Sequence, residues 1–133
     1  MKTLKTLACA LALGAITLAA GSAAQAGPRE DIIASFGAGP GNPANGKAMY
    51  EATFGTGQPD TPKCTTCHGA TPQQGGQTRT GKTIDPMAVS VTPDRFTDAR
   101  KVDKWFQRNC TGVIGRECTA QEKVDFISYM MTQ

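Results

Sequence analysis

The stretch Cys64-Thr65-Thr66-Cys67-His68 decides how this 133-residue chain is read. Its C-x-x-C-H spacing is the attachment signature of a c-type haem. Two thiols three positions apart can add to the two vinyl groups of one porphyrin. The next residue then falls under the iron as the proximal axial ligand. His68 is the single histidine of the chain, so the opposite face of the iron is not closed by a second one. The expected cofactor is one covalent haem c on Cys64, Cys67 and His68, and no internal repeat suggests another. A structural zinc site built from Cys64, Cys67, Cys110 and Cys118 fits poorly, because the second pair is spaced too widely for a zinc knuckle. A thioredoxin-like C-x-x-C would need a βαβ pattern that is not seen.

On the N-terminal side, Lys2 and Lys5 precede an apolar run from Leu7 to Ala20, and Ala24-Gln25-Ala26 follows. This is the pattern of a secretory signal peptide over residues 1–26, cleaved after Ala26. The run is too short for a membrane span. Cys9 lies too early in it for a lipoprotein anchor. The expected product is a periplasmic protein without a membrane anchor, comprising one domain over 27–133. Without the signal, four cysteines remain. Two serve the haem, and a disulfide is expected for the others, Cys110 and Cys118, in an oxidising compartment.

Residues 27–133 contain no leucine and only five each of Ile, Val and Phe. That is roughly 14%, below the ~20% at which chains stop folding on their own apolar content. Net charge is small, with 12 Lys and Arg against 11 Asp and Glu in this part. A buried porphyrin would complete so thin a core, at roughly 25 cal/mol per Å² of apolar surface. No basic run or aromatic-interleaved patch points to nucleic acid.

The class expected is all-α. Residues 28–36 can form a short helix with Ile32, Ile33 and Phe36 on one face. Residues 44–54 form another, with Met49, Tyr50 and Phe54 as core candidates. The polar, glycine-rich stretch 69–82 reads as loop. Asp98 is placed to N-cap a helix running to about Cys110. Thr119-Ala120-Gln121-Glu122 is a capping box, opening a terminal helix with Val124, Ile127, Met130 and Met131 on its apolar face.

Two residues compete for the distal position. Asn109 lies seven, four and three residues after Val102, Trp105 and Phe106, so it shares their helical stripe. Burying an amide without a partner costs about 1–3 kcal/mol. Asn109 is thus either a satisfied core or helix-terminal asparagine, or a residue that binds something. Met87 follows a proline, but stands only 19 residues after His68. Arg79, Lys82, Arg95 and Arg116 are candidates to pair with haem carboxylates, each weighed against a solvated surface charge.

Trp105-Phe106-Gln107-Arg108-Asn109-Cys110, followed by Val113-Ile114-Gly115-Arg116-Glu117-Cys118-Thr119, resembles the SHP family of class I-type cytochromes c. Asp85-Pro86-Met87-Ala88 and Arg95-Phe96-Thr97-Asp98 match it too, and the resemblance covers most of 44–131. The related cytochrome c double-prime has histidine at the position of Asn109. The resemblance implies a class I cytochrome c-like helical fold, a Cys110–Cys118 disulfide, and Asn109 as distal ligand in the oxidised protein. It implies that asparagine leaves the iron on reduction, opening a site for oxygen, nitric oxide or carbon monoxide. It further implies a dihaem cytochrome c and a membrane cytochrome b as partners.

Chemistry makes such a switch reasonable. A neutral amide oxygen is a hard donor that suits Fe(III) better than the softer Fe(II). A thioether has the opposite preference and holds a high potential. The choice is therefore between a cytochrome that accepts electrons and binds a small gas, and an ordinary His/Met electron carrier using Met87. No acid–base residue can be picked out on the distal side, so no catalytic residue or enzymatic turnover is assigned.

Overall fold

Helix α1, Pro28–Ser35, opens on a proline, whose missing N–H is an orphan at a helix start in any case. Arg29 ties it to the middle of the chain, its Nε donating to the Arg95 carbonyl at 2.9 Å and its Nη2 to the Pro93 carbonyl at 2.7 Å. Helix α2, Pro43–Glu51, also begins with proline, and the Asn42 side chain caps it by accepting from the Ala44 N–H. The computed structural model describes residues 27–133; the expected signal peptide at 1–26 lies outside the described residues. Helix α3, Thr65–His68, is the single turn formed by the C-x-x-C-H motif. A ribbon follows, β1 Gly76–Gln77 against β2 Thr83–Ile84, antiparallel with Gly76 opposite Ile84. Helices α4, Ala99–Val113, and α5, Ala120–Met131, complete the chain. No described helix is long and apolar enough to cross a membrane.

The frame is the packing of α2 on α5. Gly46 makes it possible, because a Cβ there would lie 2.1 Å from the Asp125 carbonyl oxygen. The same contact is locked by a buried carboxylate. Asp125, 5% exposed, accepts from the Asn42 N–H at 2.8 Å, the Asn45 amide at 3.2 Å and the Gln121 amide at 2.7 Å. Burial works against this charge, yet the three donors outweigh it and hold the carboxyl below its ordinary range. Tyr50, Ile127 and Met130 are fully buried at the crossing. Edge-on aromatic contacts extend the core, Phe106 to Phe126 at 5.8 Å and Phe36 to Phe106 at 6.2 Å between centroids.

The helical class holds, with the small ribbon as an addition. The ribbon lies partly in the stretch expected to be loop, and two-residue strands are too short to leave a periodic signal. Asp98 caps α4 by accepting from the Lys101 N–H, and the Thr119/Glu122 capping box is formed. Helix α4 continues three residues beyond Cys110, ending before Gly115 at φ +79°. Helix α2 stops at Glu51, so Phe54 lies outside it, its N–H donating to the Pro62 carbonyl. On α5, Val124, Ile127 and Met130 are buried as expected, whereas Met131 is 37% exposed.

Candidate haem-binding site

The motif turn is held from three sides. The buried Tyr50 hydroxyl donates to the carbonyls of His68, at 3.1 Å, and Gly69, at 2.8 Å. Gly76 of β1 presses against the turn so closely that a Cβ would lie 1.8 Å from the Cys67 carbonyl oxygen. The Cys64 Sγ is 4.0 Å from the carbonyl oxygen of Met49 on α2. Cys64 and Cys67 are both free thiols, and burial pushes the Cys64 thiol up to about 11. Burial, aided by the positive charge of Arg95, lowers His68 to about 4. The imidazole is therefore neutral at physiological pH, the form that binds a metal. Its Nδ1 is buried and has no hydrogen-bond partner.

Cys67 borders a cavity of about 590 Å³. That falls within the ~300–1,000 Å³ of pockets that enclose a small organic molecule. Its walls are largely apolar, with Ile84, Met87, Phe96, Val102, Phe106 and Phe126 among them, and its polar rim carries Arg79, Lys82, Arg95 and Lys101 together with Asp85, Asp94 and Asp98. A porphyrin has this division, an apolar plane with two carboxylates at one edge. Of the motif only Cys67 lines this cavity; with the neutral, unpartnered His68 imidazole and the second free thiol of Cys64 in the same turn, it fits a covalent haem, which supplies one-electron redox chemistry and an iron that can take a small ligand.

The cavity selects among the expected residues. Asn109 and Met87 both line it, so the fold brings the two distal candidates to the same space. They differ in setting. Met87 is 8% exposed and its N–H donates to the Pro72 carbonyl, which also receives the Ala88 N–H. Asn109 is exposed within the cavity rather than packed in the core. Its stripe on α4 is thus split, Val102 and Phe106 being buried while Trp105 and Asn109 stand open. Periodicity groups residues on a face but does not say whether core or cavity lies opposite.

Arg79, Lys82 and Arg95 reach the rim. Arg116 does not, so its candidacy for a haem carboxylate gives way to the surface-charge alternative: its guanidinium forms a two-pronged pair with Glu122, at 2.7 and 2.8 Å. Arg79 also pairs with Asp60. Arg95 is fixed by donating from Nε to the Pro86 carbonyl at 3.0 Å and from Nη2 to the Asp85 carbonyl, so it braces the segment carrying Met87. Cys110 and Cys118 form a disulfide across a Cα–Cα distance of 5.6 Å, directly after Asn109. The residues that sequence reasoning missed are Tyr50 as a hydroxyl donor and Trp105 as a wall of the cavity. A stripe position four before Asn109 was the signal available for the second.

A mostly helical frame with a cavity beside a C-x-x-C-H turn defines the class of monohaem c-type cytochromes. Comparisons narrow the class. Residues 37–130 match a family described as a domain of unknown function, DUF1924. The cytochrome c-type protein SHP of Cereibacter sphaeroides is 52% identical over 105 residues, covering 77% of this chain and 81% of that protein. Cytochrome c″ of Methylophilus methylotrophus is 36% identical over 90 residues, covering 67% of this chain and 62% of that protein. Oxidised SHP, described as an oxygen-binding cytochrome c, superposes with a TM-score of 0.75 at 47% identity, covering 83% of this chain and all of that one. Oxidised cytochrome c″ gives a TM-score of 0.65 at 28% identity, covering 80% and 94%. The chain belongs to the DUF1924 family, as an SHP-type cytochrome c carrying covalent haem c.

Proposed function

We propose that this protein is a periplasmic cytochrome that takes an electron from a cytochrome partner and then binds a small gas at the reduced iron. Cys64 and Cys67 carry the haem, His68 is the proximal ligand, and Asn109 is a removable distal ligand. The observation that carries this reading is the placement of the Asn109 amide in the cavity that Cys67 borders. The similar SHP, an oxygen-binding cytochrome c, supports it. The amide oxygen prefers the oxidised metal, so adding an electron weakens its hold more than that of His68. The disulfide at Cys110 limits how far the freed Asn109 can move. Dihaem cytochrome c and membrane cytochrome b are the proposed partners.

A second reading has its own observation, since Met87 also lines the cavity. A thioether would stay bound in the reduced protein and make it a closed electron carrier. Carbon monoxide separates the two. Added to the anaerobically reduced holoprotein, it should bind rapidly with a large Soret shift. No binding would sink the gas-site reading and leave Met87 as the ligand.

A further inference from the structure

The charge of this molecule is unevenly placed. Residues 27–133 carry 12 Lys and Arg against 11 Asp and Glu. Helix α4 alone holds Arg100, Lys101, Lys104 and Arg108 against Asp103, so the rest of residues 27–133 is net negative, with eight cations against ten anions. All four cations are exposed. Only Lys101 has an ion-pair partner among the described residues, the N-cap carboxylate of Asp98 at 3.9 Å.

Trp105 sits in the middle of these cations and is 49% exposed. The Lys104 ammonium lies 5.4 Å from the centre of its ring, and the Arg108 guanidinium carbon 5.7 Å. The indole lines the haem cavity, whereas Lys104 and Arg108 do not. It is therefore a wall with the cavity on one side and two cations on the other. Asn109 follows one helical turn later. An exposed tryptophan flanked by cations is the composition of an interface anchor. A concentrated positive face steers encounters with a negative one.

We propose that the basic face of α4 around Trp105 is the docking surface for an acidic redox protein, which delivers the electron with the indole lying between it and the haem. This rests on the reading above that the protein accepts electrons from a cytochrome partner. The face that receives the electron then belongs to the same helix as the residue released on reduction.

The test uses the holoprotein and two strong reductants of opposite charge, a reduced acidic plant-type ferredoxin and the methyl viologen radical cation. Lys104→Glu and Arg108→Glu should each slow reduction by ferredoxin about tenfold at low salt, and the loss should vanish at high salt. Neither should slow reduction by the viologen. Lys47→Glu on α2 makes the same change in net charge and should alter the ferredoxin rate less than about twofold. The haem spectrum of each variant checks that the fold is kept. Equal losses for all three substitutions, or none, would overturn the docking surface. Binding to anionic lipid vesicles that depends on Lys104 and Arg108, with unchanged ferredoxin rates, would assign the face to a membrane and overturn it too. Electron acceptance itself fails separately, if neither reagent reduces the haem.

Discussion

The roles proposed for Asn109 and His68 ask opposite things of their surroundings. An imidazole that is to bind iron must be neutral and undisturbed. Burial provides the first, and the fixed turn under Tyr50 the second. The proposed distal ligand must have somewhere to go on release, and Asn109 stands in open cavity space. From this setting, Asn109→Ala should keep the covalent haem but change the spectrum of the oxidised protein and speed its uptake of added ligands. A spectrum identical to that of the wild type would show that Asn109 does not bind the iron. The Asn109 position was legible from helical spacing. Tyr50 was legible only as a core residue, because its hydroxyl reaches carbonyls 18 and 19 residues later in the chain.

At the scale of elements, the pairing of α2 with α5 holds the motif turn in place, and Asp125 holds that pairing. Asp125→Ala would leave the Asn42 N–H and the amides of Asn45 and Gln121 without their acceptor. A loss of about 1–3 kcal/mol is expected in denaturant unfolding of the holoprotein. A change below ~0.5 kcal/mol would mean that water replaces the carboxylate without cost. The start of α5 is tuned by Glu122, which caps Thr119 and pairs with Arg116. These interactions lower its pKa to about 2, the Arg116 hydrogen bond contributing most. A carboxylate with a depressed folded pKa stabilises fully above its unfolded value near 4.5, and that stability is lost as pH falls toward 2. Glu122→Gln should therefore lower the melting temperature at pH 7, and the gap to wild type should close between pH 4.5 and 2. A gap independent of pH would show that the charge contributes nothing. The capping box was legible as a four-residue pattern; the Arg116 pair was not, since no local rule says which carboxylate or cofactor an exposed guanidinium meets.

The molecule as a whole joins a packed α2–α5 core to an open cavity. With no leucine in residues 27–133 and a cavity of about 590 Å³, its protein core is small. A haem seated in that cavity would add apolar burial to the folded state, which would link binding to folding. The Cys64→Ala/Cys67→Ala protein, which cannot attach the haem, should lose the cooperative thermal transition of the holoprotein in circular dichroism. A sharp transition within a few degrees of the wild type would show that the core is sufficient by itself. The Cys110–Cys118 bridge, closing a short loop, adds about 2–3 kcal/mol in the chain-entropy model and offsets part of this weakness.

The amino-acid sequence alone determined the covalent chemistry and the local structure: the haem turn, the caps of α4 and α5, the helical class and the poverty of the core. These follow from residue types at short spacings, where backbone geometry and thioether reach set the outcome. Tertiary structure decided the rest. It brought Cys67, Met87, Trp105 and Asn109 to one cavity, sent Arg95 to its rim and Arg116 to Glu122, and buried Asp125 against α2. Each of these depends on how segments distant in the chain pack together, and packing is settled by complementarity among all of them at once. Spacing put Asn109 on a face; only the fold put an open cavity in front of it.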